Sequence, residues 1–96
     1  MTSQNAPVRL TDRPEINPLY LFRWEEQEKA YVLLFPEGIV KLNDSAGSIL
    51  EHCTGEKTVE EIISTLEDQF STRGLEDDVY KFMEVSLGKG WVRIKA

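Results

Sequence analysis

The order of two periodicities along the chain is the strongest constraint on its fold. Three short runs, residues 19–24, 30–35 and 39–42, are rich in aromatic and aliphatic side chains and are separated by short polar or proline-containing links. Such runs predict an antiparallel meander of three strands. After Asn43 the spacing of apolar residues becomes helical. Strands followed by helices indicate an α+β domain with helices packed on one face of the sheet.

Three helices are predicted after the strands. The first begins at the capping residues 43–45 and stops at Gly55, and the second begins with the capping box at Thr58. The third begins near Leu75, has an acidic first turn, and is ended by Gly88 and Gly90. A small sheet and three short helices are also the elements that make up a winged helix-turn-helix. The expected fold is therefore α+β and winged helix-turn-helix-like, with an N-terminal three-stranded antiparallel sheet followed by three helices.

The length of 96 residues predicts a single domain. Residues 1–18 hold three of the four prolines and show no periodicity, so they are expected to form an extended, partly flexible N-terminal arm. Residues 19–96 are expected to form the domain. The N-terminus has neither the basic region nor the apolar stretch of a signal peptide, which favours a cytoplasmic location.

The charge of the chain argues against two classes of partner. The sequence has 17 acidic and 11 basic residues, a formal net charge of -6, which opposes binding to nucleic acid or to an anionic membrane surface. The longest apolar run, residues 31–36, is too short to span a membrane. The predicted third helix, residues 75–87, carries four acids and one lysine, the opposite of what a DNA-reading helix needs.

Few residues could carry catalysis or bind a metal ion. His52 is the sole histidine and Cys53 the sole cysteine, and adjacent helical side chains diverge by about 100°. We therefore expect no catalytic, cofactor-binding or metal-binding residues, and no enzyme activity. A carrier protein with a prosthetic arm on Ser45 is an alternative, because Asp44-Ser45 stands at a helix start. The three preceding strands and the residue after the serine argue against this alternative.

The third strand is expected to lie at an edge of the sheet. An edge strand has unpaired amide and carbonyl groups, to which an extended peptide can add by β-augmentation. The same edge could instead be covered by the N-terminal arm or by a second copy of the chain, giving a homodimer by strand exchange. Composition alone does not separate these options.

One segment closely resembles the signature of a known family. Residues 32–46, Val-Leu-Leu-Phe-Pro-Glu-Gly-Ile-Val-Lys-Leu-Asn-Asp-Ser-Ala, are similar to the signature of the pyrroloquinoline quinone (PQQ) biosynthesis protein D (PqqD) family. The resemblance continues upstream at residues 22–26, and downstream at Ile49-Leu50, Thr58, Ile62-Ile63 and Gly90-Trp91. It covers residues 19–94.

The resemblance implies a winged-helix-like peptide chaperone without catalytic activity. Such proteins bind the precursor peptide PqqA and present it to the radical S-adenosylmethionine (SAM) enzyme PqqE, which cross-links a glutamate and a tyrosine in the peptide. Related recognition domains pair the leader peptide with the third strand, beside the third helix. The peptide-binding residues implied here are Ile39, Val40, Lys41, Leu42 and Asn43 on the strand, and Leu75, Asp78, Val79 and Phe82 on one side of the helix.

Two points are left open by the sequence. Val79 and Phe82 are equally well explained as plain core residues, and Val40→Pro blocks peptide pairing only if the Val40 amide faces the peptide. The alternative functions are a winged-helix regulator, or a recognition domain of another ribosomal peptide modification pathway.

Overall fold

Two antiparallel sheets and three helices make up the fold. The structure, a computed structural model, describes residues 8–95. The strands are β1 (Pro14–Ile16), β2 (Leu21–Glu25), β3 (Ala30–Phe35), β4 (Gly38–Lys41) and β5 (Val92–Ile94). The helices are α1 (Asp44–Leu50), α2 (Val59–Gln69) and α3 (Glu76–Lys89).

The larger sheet is the predicted meander, with the strand order β2-β3-β4. Phe35 pairs with Gly38 across a two-residue turn, and Leu33 pairs with Val40 farther along the same hairpin. Leu33 is fully buried in the core that the sheet shares with the helices. The prediction of an α+β fold with three antiparallel strands before three helices is therefore confirmed.

The smaller sheet was not predicted. It is not one of the elements from which the winged helix-turn-helix fold was expected to be built. β1 pairs with β5, with Pro14 opposite Ile94 and Ile16 opposite Val92. The sequence showed β5 as a terminal extended piece but gave no sign of its partner, because the partner lies almost a whole chain length away. Val8 and Pro14 are also buried. The first seven residues of the predicted arm lie outside the described residues, and the boundary at residue 18 stays a prediction.

α1 and α2 begin where their capping residues predict, whereas α1 already ends at Leu50, ahead of the predicted stop at Gly55. The Asn43 side chain accepts a hydrogen bond from the Ala46 amide at 2.8 Å and caps α1. Thr58 and Glu61 form a complete capping box at the start of α2. α3 ends at Gly90, which has a left-handed backbone with φ 79°. The Asn43 cap fixes where α1 begins, and this beginning borders the candidate site.

A close approach between α1 and the larger sheet brings the two layers together. Gly47 of α1 lies against Tyr31 of β3, whose ring is stacked on Phe22 at 4.8 Å and meets Trp24 edge-on at 5.2 Å. A side chain at residue 47 would occupy the space that the tyrosine fills. Glycine at this position therefore allows the helix to pack on the sheet, and so positions the segment that leads from β4 into α1.

Candidate peptide-binding site

β4 is an edge strand of the larger sheet. Within residues 8–95, its one strand partner is β3, because β1, the strand of the predicted arm, pairs with β5 instead. β2 is the opposite edge of the same sheet. Only β4 leads directly into α1, through Leu42 and Asn43. An added strand at β4 would therefore lie next to the start of α1.

The hydrogen-bond register determines which amides of β4 are free. The Leu42 amide donates to the Tyr31 carbonyl at 3.0 Å, so this facing pair is a hydrogen-bonded one. Hydrogen-bonded and non-hydrogen-bonded pairs alternate in an antiparallel ladder, so Val40 also bonds β3. The amides and carbonyls of Ile39 and Lys41 then point to the open edge. The Val40 amide therefore faces β3 and not an added peptide. Val40→Pro would break the hydrogen bonds between β3 and β4 instead of blocking a peptide.

The side chains of this strand alternate between the two faces of the sheet. Val40 is half-buried and Leu42 is buried, and both pack with the core. Ile39 is 57% exposed, and Lys41 is exposed and pairs with Glu28 at 3.2 Å. Val40 and Leu42 therefore hold the strand against the core, while Ile39 and Lys41 direct their side chains to the outer face of the sheet.

A cleft lies between the beginnings of α1 and α3. Its volume is about 270 Å³. Its apolar floor contains Ile49, Leu66 and Val79, all of which are buried. Asp44 and Asp78 are exposed at its rim. The remaining lining residues are Ser45, Ser48, Phe70, Thr72 and Leu75.

The structure brings together some of the residues implied by the resemblance and separates others. Leu75, Asp78 and Val79 line the cleft, whereas Phe82 does not. The Phe82 ring instead lies 6.4 Å from that of Trp91, in the segment that leads to β5. The strand residues 39–43 border the site along the β4 edge and do not line the cleft itself.

Sequence reasoning missed the contribution of α1 to this site. Asp44, Ser45 and Ser48 form the wall opposite α3. The sequence predicts Asp44 and Ser45 as a helix start within the family signature, but it does not predict that they, or Ser48, contact a ligand. Their position in the sequence could have indicated this role, because Asp44, Ser45 and Ser48 follow the implied strand, residues 39–43, within one and a half helical turns.

A carboxylate holds the link between α2 and α3 that borders the cleft. Glu67 accepts hydrogen bonds from the backbone amides of Gly74 at 3.0 Å and Leu75 at 3.1 Å. These amides precede α3 and would otherwise lack a partner from within the helix. Glu67 thereby fixes the position of Leu75 at the cleft wall.

His52 and Cys53 do not form a reactive pair. His52 lies near Gln69, with Nε2 3.4 Å from Oε1, while the Cys53 thiol donates to the Ile49 carbonyl at 3.4 Å inside the core. Burial raises the pKa of Cys53 to about 12, so the thiolate does not form near neutral pH. In the described part of the chain, no three His, Cys, Asp or Glu side chains come together as a candidate metal site.

Comparison with known proteins decides the family. A family model described as Coenzyme PQQ synthesis protein D (PqqD) matches residues 30–92, which include β3, β4 and all three helices. The chain belongs to the PqqD family. The resemblance seen in residues 32–46 is therefore confirmed.

Two relatives illustrate how far the similarity to other PqqD proteins extends. The PqqA binding protein of Methylococcus capsulatus is 40% identical over 82% of this chain and 85% of its own length. The PqqA binding protein of Azotobacter vinelandii is 38% identical over 93% of this chain and 98% of its own length. Both alignments are far longer than the signature at residues 32–46, and the family model itself spans the helices that form the cleft.

Solved structures show the same fold at lower sequence identity. The PqqD portion of Methylobacterium extorquens PqqCD, described as a stand-alone recognition element for ribosomally synthesized and post-translationally modified peptides (RiPPs), has a TM-score of 0.75. It is 24% identical, and the match covers 90% of this chain and 94% of that one. The heterocyclase TruD contains the fold in 12% of its chain, with a TM-score of 0.69 and 24% identity.

Proposed function

We propose that this PqqD-family protein is a non-catalytic peptide chaperone of PQQ cofactor biosynthesis. It binds the precursor peptide PqqA by adding a strand at β4, and it presents that peptide to the radical SAM enzyme PqqE. The observation that carries the proposal is the open edge of β4, where the backbone groups of Ile39 and Lys41 have no strand partner within residues 8–95. Relatives that are 38% and 40% identical are named for binding PqqA, which supports the choice of peptide.

Two features favour β4 over the β2 edge. β4 continues through Asn43 into α1, so a peptide that leaves the edge reaches the cleft between α1 and α3. Main-chain hydrogen bonds then supply affinity, and the cleft supplies side-chain selectivity. The cleft between α1 and α3 has no residue of β2 in its lining. Strand residues 39–43 and helix residues 75, 78 and 79 are the proposed contacts, with Phe82 farther along α3 as an additional one.

The test is titration of the ¹⁵N-labelled protein with PqqA, followed by substitutions at the edge. Amide shifts are expected to cluster at Ile39 and Lys41 and around the cleft. Lys41→Pro removes an outward amide and is compatible with an edge strand. It should weaken binding by about tenfold, the equivalent of one lost hydrogen bond with its partner left unpaired.

The matched control is Lys41→Ala, which removes the same side chain and its pairing with Glu28 but keeps the amide. A large loss in Lys41→Pro with little change in Lys41→Ala supports strand addition. Equal affinity of the two variants, both with native-like spectra away from the edge, would exclude pairing at Lys41. Ile39→Pro provides a second, independent test of the same register.

We further propose that PqqE binds a different face from the peptide, because the peptide must be held while it is handed over. The outer face of the larger sheet is the natural candidate: Leu21, Leu34 and Ile39 form one row of facing residues across its three strands, and two of them are more than half exposed. Competition between PqqA and PqqE for one site would contradict this arrangement.

A second copy of the chain is the competing occupant of the β4 edge, in a homodimer formed by strand exchange. Analytical ultracentrifugation with and without PqqA distinguishes the two, because PqqA would displace the second copy from the edge.

The two alternative functions receive less support. α3 carries four acidic residues and two lysines, which disfavours contact with DNA phosphates. A role in another peptide modification pathway would preserve the same edge and cleft but not the preference for PqqA. Between residues 8 and 95, none of the helices combines the length and apolar composition needed to cross a membrane.

A further inference from the structure

The cleft between α1 and α3 has an apolar interior and an acidic rim. Ile49, Leu66 and Val79 form its buried floor, and its volume of about 270 Å³ is large enough for a bulky apolar side chain. For comparison, a cavity of about 150 Å³ accommodates benzene. The rim carries Asp44 on one side and Asp78 on the other, and none of the lining residues is basic.

Neither rim carboxylate forms an ion pair with another residue between 8 and 95. Both residues lie in first helical turns, where the helix dipole by itself favours an acid. The dipole corresponds to about half a charge at each helix start, so two full negative charges still leave the rim negative.

We propose that this cleft selects a peptide segment in which a bulky apolar side chain is followed or preceded by a lysine or arginine. The apolar side chain fills the cleft, and the cation lies at the rim beside Asp78 and Asp44. This inference rests on the proposed function and adds to it the chemistry by which the peptide is recognised. Residues 1–7 of the chain contain no lysine or arginine, so this chain's own N-terminal segment does not match the site.

The position of the cleft relative to β4 determines which residues of the bound peptide can reach it. β4 ends at Lys41, and Leu42 and Asn43 connect it to Asp44 at the rim. A strand added along β4 therefore needs only two or three further residues to reach the cleft, since each extended residue spans about 3.3 Å. The selected apolar and basic residues should stand immediately outside the paired segment of the peptide, not within it.

The test pairs a rim substitution with a neighbouring control. Asp78→Asn removes the rim charge, and Asp77→Asn removes an equal charge from the same first turn at a position that does not line the cleft. The probe is PqqA, together with variants in which each lysine or arginine is replaced singly by glutamine. Affinity is measured by fluorescence anisotropy at low and at high salt.

Asp78→Asn should weaken PqqA binding by about two- to fivefold, the range of a solvent-exposed ion pair, and Asp77→Asn should change it by less than that. One glutamine variant of PqqA should abolish the effect of Asp78→Asn, since the two changes remove the same interaction. Asp44→Asn removes the charge on the opposite side of the rim and tests its effect on affinity in the same way.

The outcomes separate this inference from the function on which it rests. Equal effects of Asp78→Asn and Asp77→Asn, with amide shifts still present at Ile39 and Lys41, would overturn the selection of a basic residue and leave strand addition standing. Coupling of Asp78 to no basic residue of PqqA would overturn it as well. An absence of PqqA binding by the unmodified protein would refute both the proposed function and this inference.

Discussion

A single methyl group at residue 47 should destabilise the protein, although it improves the intrinsic helix propensity of α1. Gly47 lies in this helix, where replacement by alanine would ordinarily stabilise by about 1 kcal/mol. In the folded protein, however, an added Cβ would lie 2.6 Å from Cδ2 of Tyr31, and 3.2 Å from both Cβ and Cγ of that residue. The tyrosine or the helix must therefore move.

The surroundings of Tyr31 decide how costly that movement is. Its ring is stacked on Phe22 and meets Trp24 edge-on, and its hydroxyl donates to Glu51 at 3.2 Å. Rotation of the ring cannot relieve the contact with Tyr31 Cβ, which is fixed by the backbone of β3. Inserting a methyl group into a packed site costs about 1 to 3 kcal/mol, and the short approach argues for the upper half of that range. Subtracting the propensity gain leaves a net loss of about 1 to 2 kcal/mol.

The assay is urea unfolding monitored by tryptophan fluorescence, with Gly88→Ala as the matched control. Gly88 is also helical, but an added Cβ there meets no atom within 4 Å, so alanine should stabilise by about 0.5 to 1 kcal/mol. The two Gly→Ala substitutions should thus shift the midpoint in opposite directions. A Gly47→Ala protein as stable as the unmodified chain would refute the packing argument, and a destabilising Gly88→Ala would refute the propensity term.

Two further predictions concern single side chains. Cys53 should not react with a thiol reagent at pH 8 in the folded protein, because burial raises its pKa to about 12, and it should react at once when denaturant exposes it; absorbance with a chromogenic disulfide measures both. The backbone amide of Thr58 lowers the pKa of the Glu61 carboxyl below its ordinary 4.5. A lowered folded-state pKa means stability that is present above the unfolded value and is lost as the pH falls through the folded one, so Glu61→Gln should show a smaller drop in melting temperature on acidification than the unmodified protein.

Local patterns predicted the parts of this fold that depend on neighbouring residues. The meander, the capping box at Thr58 and the left-handed end of α3 at Gly90 each follow from a few adjacent side chains. The β1–β5 sheet could not be predicted in the same way, because β1 and β5 lie at opposite ends of the chain and each has three residues. Strands this short carry too little periodicity to signal a distant partner.

The candidate site shows the same division between local and distant information. A helical wheel placed Leu75, Asp78, Val79 and Phe82 on one face, and three of them line the cleft. The fourth packs near Trp91, in the segment between α3 and β5, which no wheel contains. The opposite wall of the cleft is supplied by α1, and its contribution follows from the packing of two helices that are separated by α2.

The choice of binding groups on β4 depends on the turn that precedes it. The hairpin closes with Phe35 paired to Gly38, and this pairing places the amide of Val40 toward β3 and those of Ile39 and Lys41 toward the open edge. A turn one residue longer would exchange these roles. Because side chains of an added strand alternate between the two faces of the sheet, only every second peptide residue can point toward the helical side. The cleft beyond Asn43 lies past the end of the paired segment. It can therefore select a peptide residue that does not contact the sheet.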